Sequence, residues 1–340
     1  MFFGDSLSDT GNNHWVYASQ KPKGEYNSAP FTNPDENGQA LLWDTVATSL
    51  LFPGKKLYPS ETRELNPNLD NISYAWATAE SGDRFGNSAK KDTPYSSKNC
   101  RRPGPIDSSN TEICVPGVIK QIGYYLEDMN HIHENPNHNT LFVIWAGAND
   151  ITHDIKKLYP ISPFYDSYKE GIRAILASDN EYDKSYSFPM LNLIKAIQLL
   201  EDSGVLPQQI YIFDLPDLSK TPAVRKYNSL IMDIMDGLDW LPFLPFQDKA
   251  NVPINIRWAA QTYNNSLNSI SLPPNHIFHA AAVFEKIISH QYSGFDNIEG
   301  MCRNLESCKG FVFYDEIHPT AAVGKILGQE FVNHLKNTTL

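Results

Sequence analysis

Short apolar runs alternate along the chain with longer stretches in which apolar residues recur every three or four positions. "LFVIWAG" (Leu141 to Gly147) and "QIYIFDLP" (Gln209 to Pro216) predict buried strands that end in turn chemistry, and "NHIFHAA" (Asn275 to Ala281) predicts a third. "LLWDTVATSLL" (Leu41 to Leu51) and "VIKQIGYYLEDM" (Val118 to Met129) have the spacing of amphipathic helices. So do "MLNLIKAIQLLEDSG" (Met190 to Gly204) and "TAAVGKILGQEFVNHL" (Thr320 to Leu335), with Gly204 as a stop signal. Strands separated by helices predict an α/β protein, a parallel sheet with helices on both faces. "MFF", ahead of Gly4-Asp5-Ser6, reads as the end of one more strand, short of the usual five or six residues or so. We therefore expect natural residues ahead of Met1, a secretion signal among them.

Two stretches break this rhythm and predict surface insertions. Residues 82–117 are polar and rich in Pro, Gly and Ser, and residues 152–188 are rich in Tyr, Asp, Ser and Pro. No internal repeat and no low-complexity linker divides the chain. Length alone suggests about two domains, and 41% hydrophobic residues are enough for a substantial core. The formal charge of -11 argues against a nucleic-acid partner, which needs a basic face. No apolar run is long enough to span a bilayer.

The cysteines form two local pairs, Cys100 with Cys114 and Cys302 with Cys308. Neither spacing is that of a zinc knuckle. Two short disulfide loops and an oxidising compartment are the expectation, against the alternative of four reduced thiols. "HIHENPNH" (His131 to His138) invites a metal, but its Pro and Asn residues suit a surface loop after a helix.

Three places carry candidate chemistry. Ser6 follows a predicted strand, and a serine at the C-terminal end of a parallel strand, entering a helix, sits where open α/β sheets bind ligands. The helix N-terminus offers N–H groups to a developing oxyanion. The G-x-S-x-G elbow is absent, since Ser8 occupies the second glycine position, and taken alone the tripeptide reads first as a plain strand-to-helix turn. In "YDEIHPT", Asp315 and His318 stand three apart, so the carboxylate can hold Nδ1–H while Nε2 points at a hydroxyl. A metal pair or a capping Asp with an incidental His are the alternatives. Asn149, in "WAGAND", can donate its side-chain amide to an oxyanion or serve as an ordinary turn residue. If the three meet, residues 6 and 318 belong to one domain.

These motifs resemble those of the SGNH, or GDSL, hydrolases, a family of esterases and lipases. "FGDSLSDTGN", "GAND" and "YDEIHPT" match its first, third and fifth blocks. "FDLPDLSKTP" (Phe213 to Pro222), "YNNSL" (Tyr263 to Leu267) and "QYSGFDNIEGMC" (Gln291 to Cys302) resemble its intervening segments. The resemblance spans essentially the whole chain. It implies a single SGNH domain over residues 1–340, a three-layer α/β/α sandwich with a mostly parallel central sheet of flavodoxin-like kind. It also implies Ser6 as nucleophile, His318 as general base and acid, and Asp315 as its orienting partner. The implied oxyanion hole is the Ser6 N–H, the Asn149 side chain and a backbone N–H from the second block. There the sequence departs from the family, with "SYAWATA" (Ser73 to Ala79) placing Ala77 and Thr78 where glycines are usual. Ala77 is the expected donor, provided the backbone keeps φ negative.

The blocks most resemble those of secreted bacterial lysophospholipases and phospholipases A, glycerophospholipid:cholesterol acyltransferases included. That implies a secreted or periplasmic enzyme without metal or cofactor. It would cleave acyl esters of phospholipids or lysophospholipids through an acyl-enzyme, touch membrane surfaces transiently, and be able to pass the acyl group to cholesterol. Lys90-Lys91 and Arg101-Arg102 lie in the first insertion, where an activating protease would find an exposed lid. Trp15, Tyr74, Trp76, Trp145 and Tyr314 are candidates for an acyl pocket or simply for the core. The rival readings are an SGNH esterase on a non-lipid ester (a carbohydrate deacetylase, thioesterase or short-chain carboxylesterase), a catalytically silent binding protein, and a metal-dependent hydrolase.

Overall fold

A computed structural model describes residues 1–14, 30–35, 37–65, 69–83, 85–87, 114–136, 138–152, 189–226 and 252–338. Its centre is a parallel sheet in the order β2-β3-β1-β6-β7-β8. These strands are Tyr58–Pro59 (β2), Ile72–Ser73 (β3), Phe2–Gly4 (β1), Phe142–Trp145 (β6), Ile210–Phe213 (β7) and Ile277–Phe278 (β8). All three strands expected from apolar runs are present, each trimmed to its buried centre. The central pairings run Phe2 beside Val143 and Phe142 beside Ile210. Every residue of β1, β6 and β7 is buried, as strands covered on both faces must be.

Six helices have their bounds within the described residues, Trp43–Leu51 (α1), Val118–His131 (α2), Pro189–Asp202 (α3), Val252–Leu267 (α4), Ala280–Ile288 (α5) and Ala321–Thr338 (α6), and residues 12–14, 148–152 and 222–226 are helical as well. They form two packs, α2 with α3 and α4, and α1 with α6 and α5, one on each face of the sheet. The result is the expected α/β/α arrangement. Between α1 and α6 the fit depends on Gly328, where a Cβ would lie 2.6 Å from the Trp43 carbonyl oxygen. Trp43, Trp145, Phe213 and Phe331 meet in the core beneath, with ring centroids 4.3 to 5.7 Å apart. Tyr74, Trp76 and Trp145 are each 1% exposed, so these three candidates for an acyl pocket are core residues.

With the two-residue edge strand β2 set aside, the remaining five strands in chain order lie 2-1-3-4-5, the flavodoxin-like order. Strand order reverses between β1 and β6. Chain leaving β1 and chain leaving β6 therefore diverge, which opens a crevice at their C-terminal ends. At Gly4 the two strands come so close that a Cβ would lie 2.3 Å from the Trp145 carbonyl oxygen.

The first insertion is described only at its base, an antiparallel ribbon of Phe85–Asn87 (β4) with Cys114–Pro116 (β5). Its interior, with Cys100 and the Lys90-Lys91 and Arg101-Arg102 pairs, lies outside the described residues, as do Trp15 and nearly all of 152–188. The Cys100–Cys114 pairing is thus outside what is described. Cys302 and Cys308 are joined in a disulfide between Asn297–Met301 (β9) and Phe311–Phe313 (β10), two short strands that pair with each other. No described helix is long and apolar enough to cross a membrane. No group of His, Cys, Asp or Glu among the described residues is suited to hold a metal, the described part of 131–138 included.

Candidate active site

Ser6 follows β1 and Asn149 follows β6, so both stand at the crevice. The chain does not enter a helix at Ser6 as the sequence suggested. Asp5 instead closes a turn, its carboxylate accepting Leu7 N–H at 3.0 Å and its carbonyl accepting Ser8 N–H at 3.0 Å. Helical residues begin only at Asn12, capped by Asp9, whose carboxylate accepts the Gly11 and Asn12 N–H groups at 3.0 and 2.7 Å. The Asn12 side chain ties this turn to the next strand, donating to the Ser73 and Ala75 carbonyls and accepting from Ser60 and Glu61.

His318 reaches Ser6 from the far end of the chain, Nε2 to Oγ at 2.8 Å. Its Nδ1 lies 2.9 and 2.8 Å from the two oxygens of Asp315. With the Nδ1 proton held there, Nε2 is left to accept the Ser6 hydroxyl proton. Asp315 Oδ1 also accepts the Ile317 and His318 N–H groups at 2.9 and 2.8 Å, which folds 315–318 into a compact turn. Burial works against ionisation of Asp315. The His318 hydrogen bond and charge and the two N–H groups outweigh it and hold the carboxyl below its ordinary value.

The turn is braced from three directions. Phe31 stacks on the His318 ring with centroids 4.8 Å apart, and Thr32 donates to the Pro319 carbonyl. Ala223 N–H donates to the Glu316 carbonyl at 2.8 Å. Arg303 N–H, next to the disulfide, donates to the Tyr314 carbonyl at 2.7 Å. Phe31 carries no sequence signal, since it lies in a short Pro-containing segment without periodicity.

Asn149 Nδ2 donates to the Ala79 carbonyl at 3.0 Å, which fixes the amide and leaves its second N–H unused among the described bonds. Behind it, Gly147 at φ 112° admits the Tyr263 ring, whose hydroxyl donates to Ala146 O at 3.1 Å. That contact gives the "YNNSL" segment a physical role, and Asn264 beside it bonds both the N–H and the carbonyl of Leu215.

Ala77 is corrected by the structure as an oxyanion donor. Its N–H is buried and already donates to Asp9 Oδ2 at 2.8 Å and Asn13 Oδ1 at 3.1 Å. The next residue, Thr78, is exposed and sits at φ 66°, the left-handed conformation a glycine adopts freely and a β-branched residue resists. Thr78 thus departs from the expectation of a negative φ. Neither the Thr78 nor the Ser6 N–H has a partner among the described hydrogen bonds.

Beside Ser6 and Asn149 opens a small cleft that is continuous with solvent. Its apolar surface comes from Leu218, Phe284, Ile288, Phe313 and Ile317. Of the aromatic residues proposed from the sequence, none of those described lines it. Asp5 does, and burial pushes that carboxyl up to about 6, with only the Leu7 N–H and the His318 charge as the main opposing effects.

A GDSL-like lipase/acylhydrolase family model matches residues 1–331, all of the site included. The chain belongs to that family. As a GDSL acylhydrolase it is a member of a family of carboxylic ester hydrolases. The structure of Est24, a carbohydrate acetylesterase from Sinorhizobium meliloti, is similar over 99% of this chain and 97% of its own, at 12% identity and a TM-score of 0.37. No curated protein matches the sequence.

Proposed function

We propose that this GDSL hydrolase is a serine esterase acting on acyl esters of phospholipids and lysophospholipids. The observation that carries the esterase reading is the Ser6–His318–Asp315 relay. The apolar cleft beside Ser6 supports the lipid half, because an acyl chain needs such a surface next to the attacked carbonyl.

In the reaction, Ser6 Oγ attacks the ester carbonyl as His318 Nε2 takes the hydroxyl proton, and Asp315 stabilises the imidazolium. The oxyanion is met by the Ser6 and Thr78 N–H groups and the free N–H of Asn149. The C–O bond to the alcohol then breaks, and His318 returns the proton to the leaving oxygen. Water attacks the acyl-enzyme with the same base, releasing the fatty acid and restoring Ser6. A sterol hydroxyl in place of water yields a sterol ester by the same steps. The meeting of residues 6 and 318 supports the reading of one SGNH domain over residues 1–340. The Cys302–Cys308 disulfide supports a secreted or periplasmic setting, where lipid surfaces would be met transiently and a protease could trim the first insertion.

The test is product analysis with lysophosphatidylcholine and phosphatidylcholine, with and without cholesterol, before and after limited proteolysis, with Ser6→Ala as control. Ser6-dependent fatty acid supports the reading, and cholesteryl ester adds the transfer step. Cleavage of acetyl or thioesters alone, with Ser6 still labelled by a fluorophosphonate, moves the substrate to a non-lipid ester.

A further inference from the structure

The cleft has two unlike walls. The 3-10 turn Leu218–Lys220 and its flanks present Asp217, Lys220 and Thr221, whereas α5 presents Phe284, Glu285 and Ile288. Most charges around the first wall are matched. Asp217 accepts from Arg257 at 2.8 Å, Lys226 pairs with Glu316 at 2.9 Å, and Arg225 pairs with Glu299. Lys220 and Glu285 differ. Both line the cleft, yet among the described residues neither side chain has an ion-pair or hydrogen-bond partner, and they do not pair with each other.

The root of Lys220 is firmly placed. Its N–H donates to the Asp217 carbonyl at 3.1 Å, Thr221 N–H donates to Leu218 O at 3.2 Å, and Ala223 N–H reaches the Glu316 carbonyl beside Asp315. The wall that bears the ammonium is thus bolted to the turn that bears His318. A half-buried ammonium next to apolar surface, with no carboxylate of its own, is suited to a ligand oxyanion, phosphate above all. Glu285, exposed on the α5 side of the same cleft, offers a carboxylate to a cation. One ligand chemistry answers both charges while leaving the apolar surface to an acyl chain.

We propose that Lys220 and Glu285 select a zwitterionic head group, Lys220 taking the phosphate of a lysophospholipid and Glu285 its amine. This rests on the lipid reading above and adds the head group to it. A neutral glyceride leaves both charges unanswered, and a purely anionic head group is repelled by Glu285.

The experiment compares kcat/KM for lysophosphatidylcholine, lysophosphatidate and monoacylglycerol of one acyl chain, for the wild type, Lys220→Met, Lys220→Arg and Glu285→Gln. The fluorophosphonate labelling rate of Ser6 serves as the measure of an intact site. Lys220→Met is expected to cut turnover of lysophosphatidylcholine about tenfold or more while changing monoacylglycerol less than about twofold, as loss of a charged hydrogen bond predicts. Lys220→Arg should restore most of the loss, and Glu285→Gln should raise lysophosphatidate relative to lysophosphatidylcholine about fivefold. Equal losses on all three substrates, or an unchanged ratio in Lys220→Met, overturn the pair while leaving the lipid reading intact. A wild type that labels and cleaves short esters but no lipid removes both.

Discussion

Ser6 and His318 meet at 2.8 Å, but the chain holds them by different means. Around Ser6 the support is interior. Asp9, Asn12 and Asn13 are almost wholly buried, and together they engage backbone groups of residues 11–13, 61, 73, 75 and 77. Around His318 the support is half-buried and nearer the surface: a turn closed by its own Asp315, the Phe31 ring and a nearby disulfide. A buried polar network is costly to break because each orphaned group keeps its desolvation penalty. A turn nearer the surface can be altered with less loss of fold. Changes in the buried network behind Ser6 should therefore appear first in stability, and changes in the Asp315 turn first in rate.

The largest expected effect is catalytic. Ser6→Ala should lower kcat by about 10⁴-fold or more, and Asp315→Asn by about 10⁴-fold, with melting temperatures near wild type. A large loss of stability in Asp315→Asn would break the contrast. On the other side, Asp9→Ala leaves the Gly11, Asn12 and Asn13 N–H groups without their acceptor and Ala77 N–H with Asn13 alone. It should cost about 3 kcal/mol or more in urea unfolding, whatever happens to rate.

The pH dependence of stability sharpens the same contrast. Asp5 titrates near 6 in the fold, above the ordinary 3.8 it regains on unfolding. Its contribution is therefore complete below about pH 4 and is lost as pH rises through about 6, costing roughly 3 kcal/mol by pH 7.5. Asp9, pushed to about 6 by burial, adds to the same trend. Asp5→Asn should flatten part of the fall in urea midpoint between pH 4.5 and 7.5, and an unchanged slope would refute the assignment. Replacing Cys302 and Cys308 together by Ser should cost about 2 kcal/mol through the unfolded chain, with a lower kcat as the turn loosens. Smallest of all, Thr78→Gly should raise stability by at most about 1 kcal/mol by relieving the left-handed threonine.

The sheet was legible because its signals are local, and the relay because its residues lie in motifs that resemble the family's. "LFVIWAG" and "QIYIFDLP" carry their strand character within a few residues, and Asp315 and His318 lie in a single turn. What stayed hidden depends on contacts distant in sequence. Nothing near Ala77 announces that the Asp9 carboxylate, 68 positions earlier, takes its N–H. Hydropathy could not separate Tyr74, Trp76 and Trp145, which fill the core, from Phe284 and Ile288, which line the cleft, because both sets are apolar. The helix expected at Ser6 failed for a related reason. Asp5 and Asp9 are both turn-forming and capping residues, and the second of them sets the helix start.

The hydrogen bond between Ser6 and His318 spans 312 positions of chain. A growing polypeptide that has not yet reached residue 318 carries the serine without a base. Loop closure of that length comes late, after the intervening strands have found their places. Every product of synthesis that stops short of residue 318 accordingly carries a serine with no base to activate it, so activity arrives only with the last part of the chain.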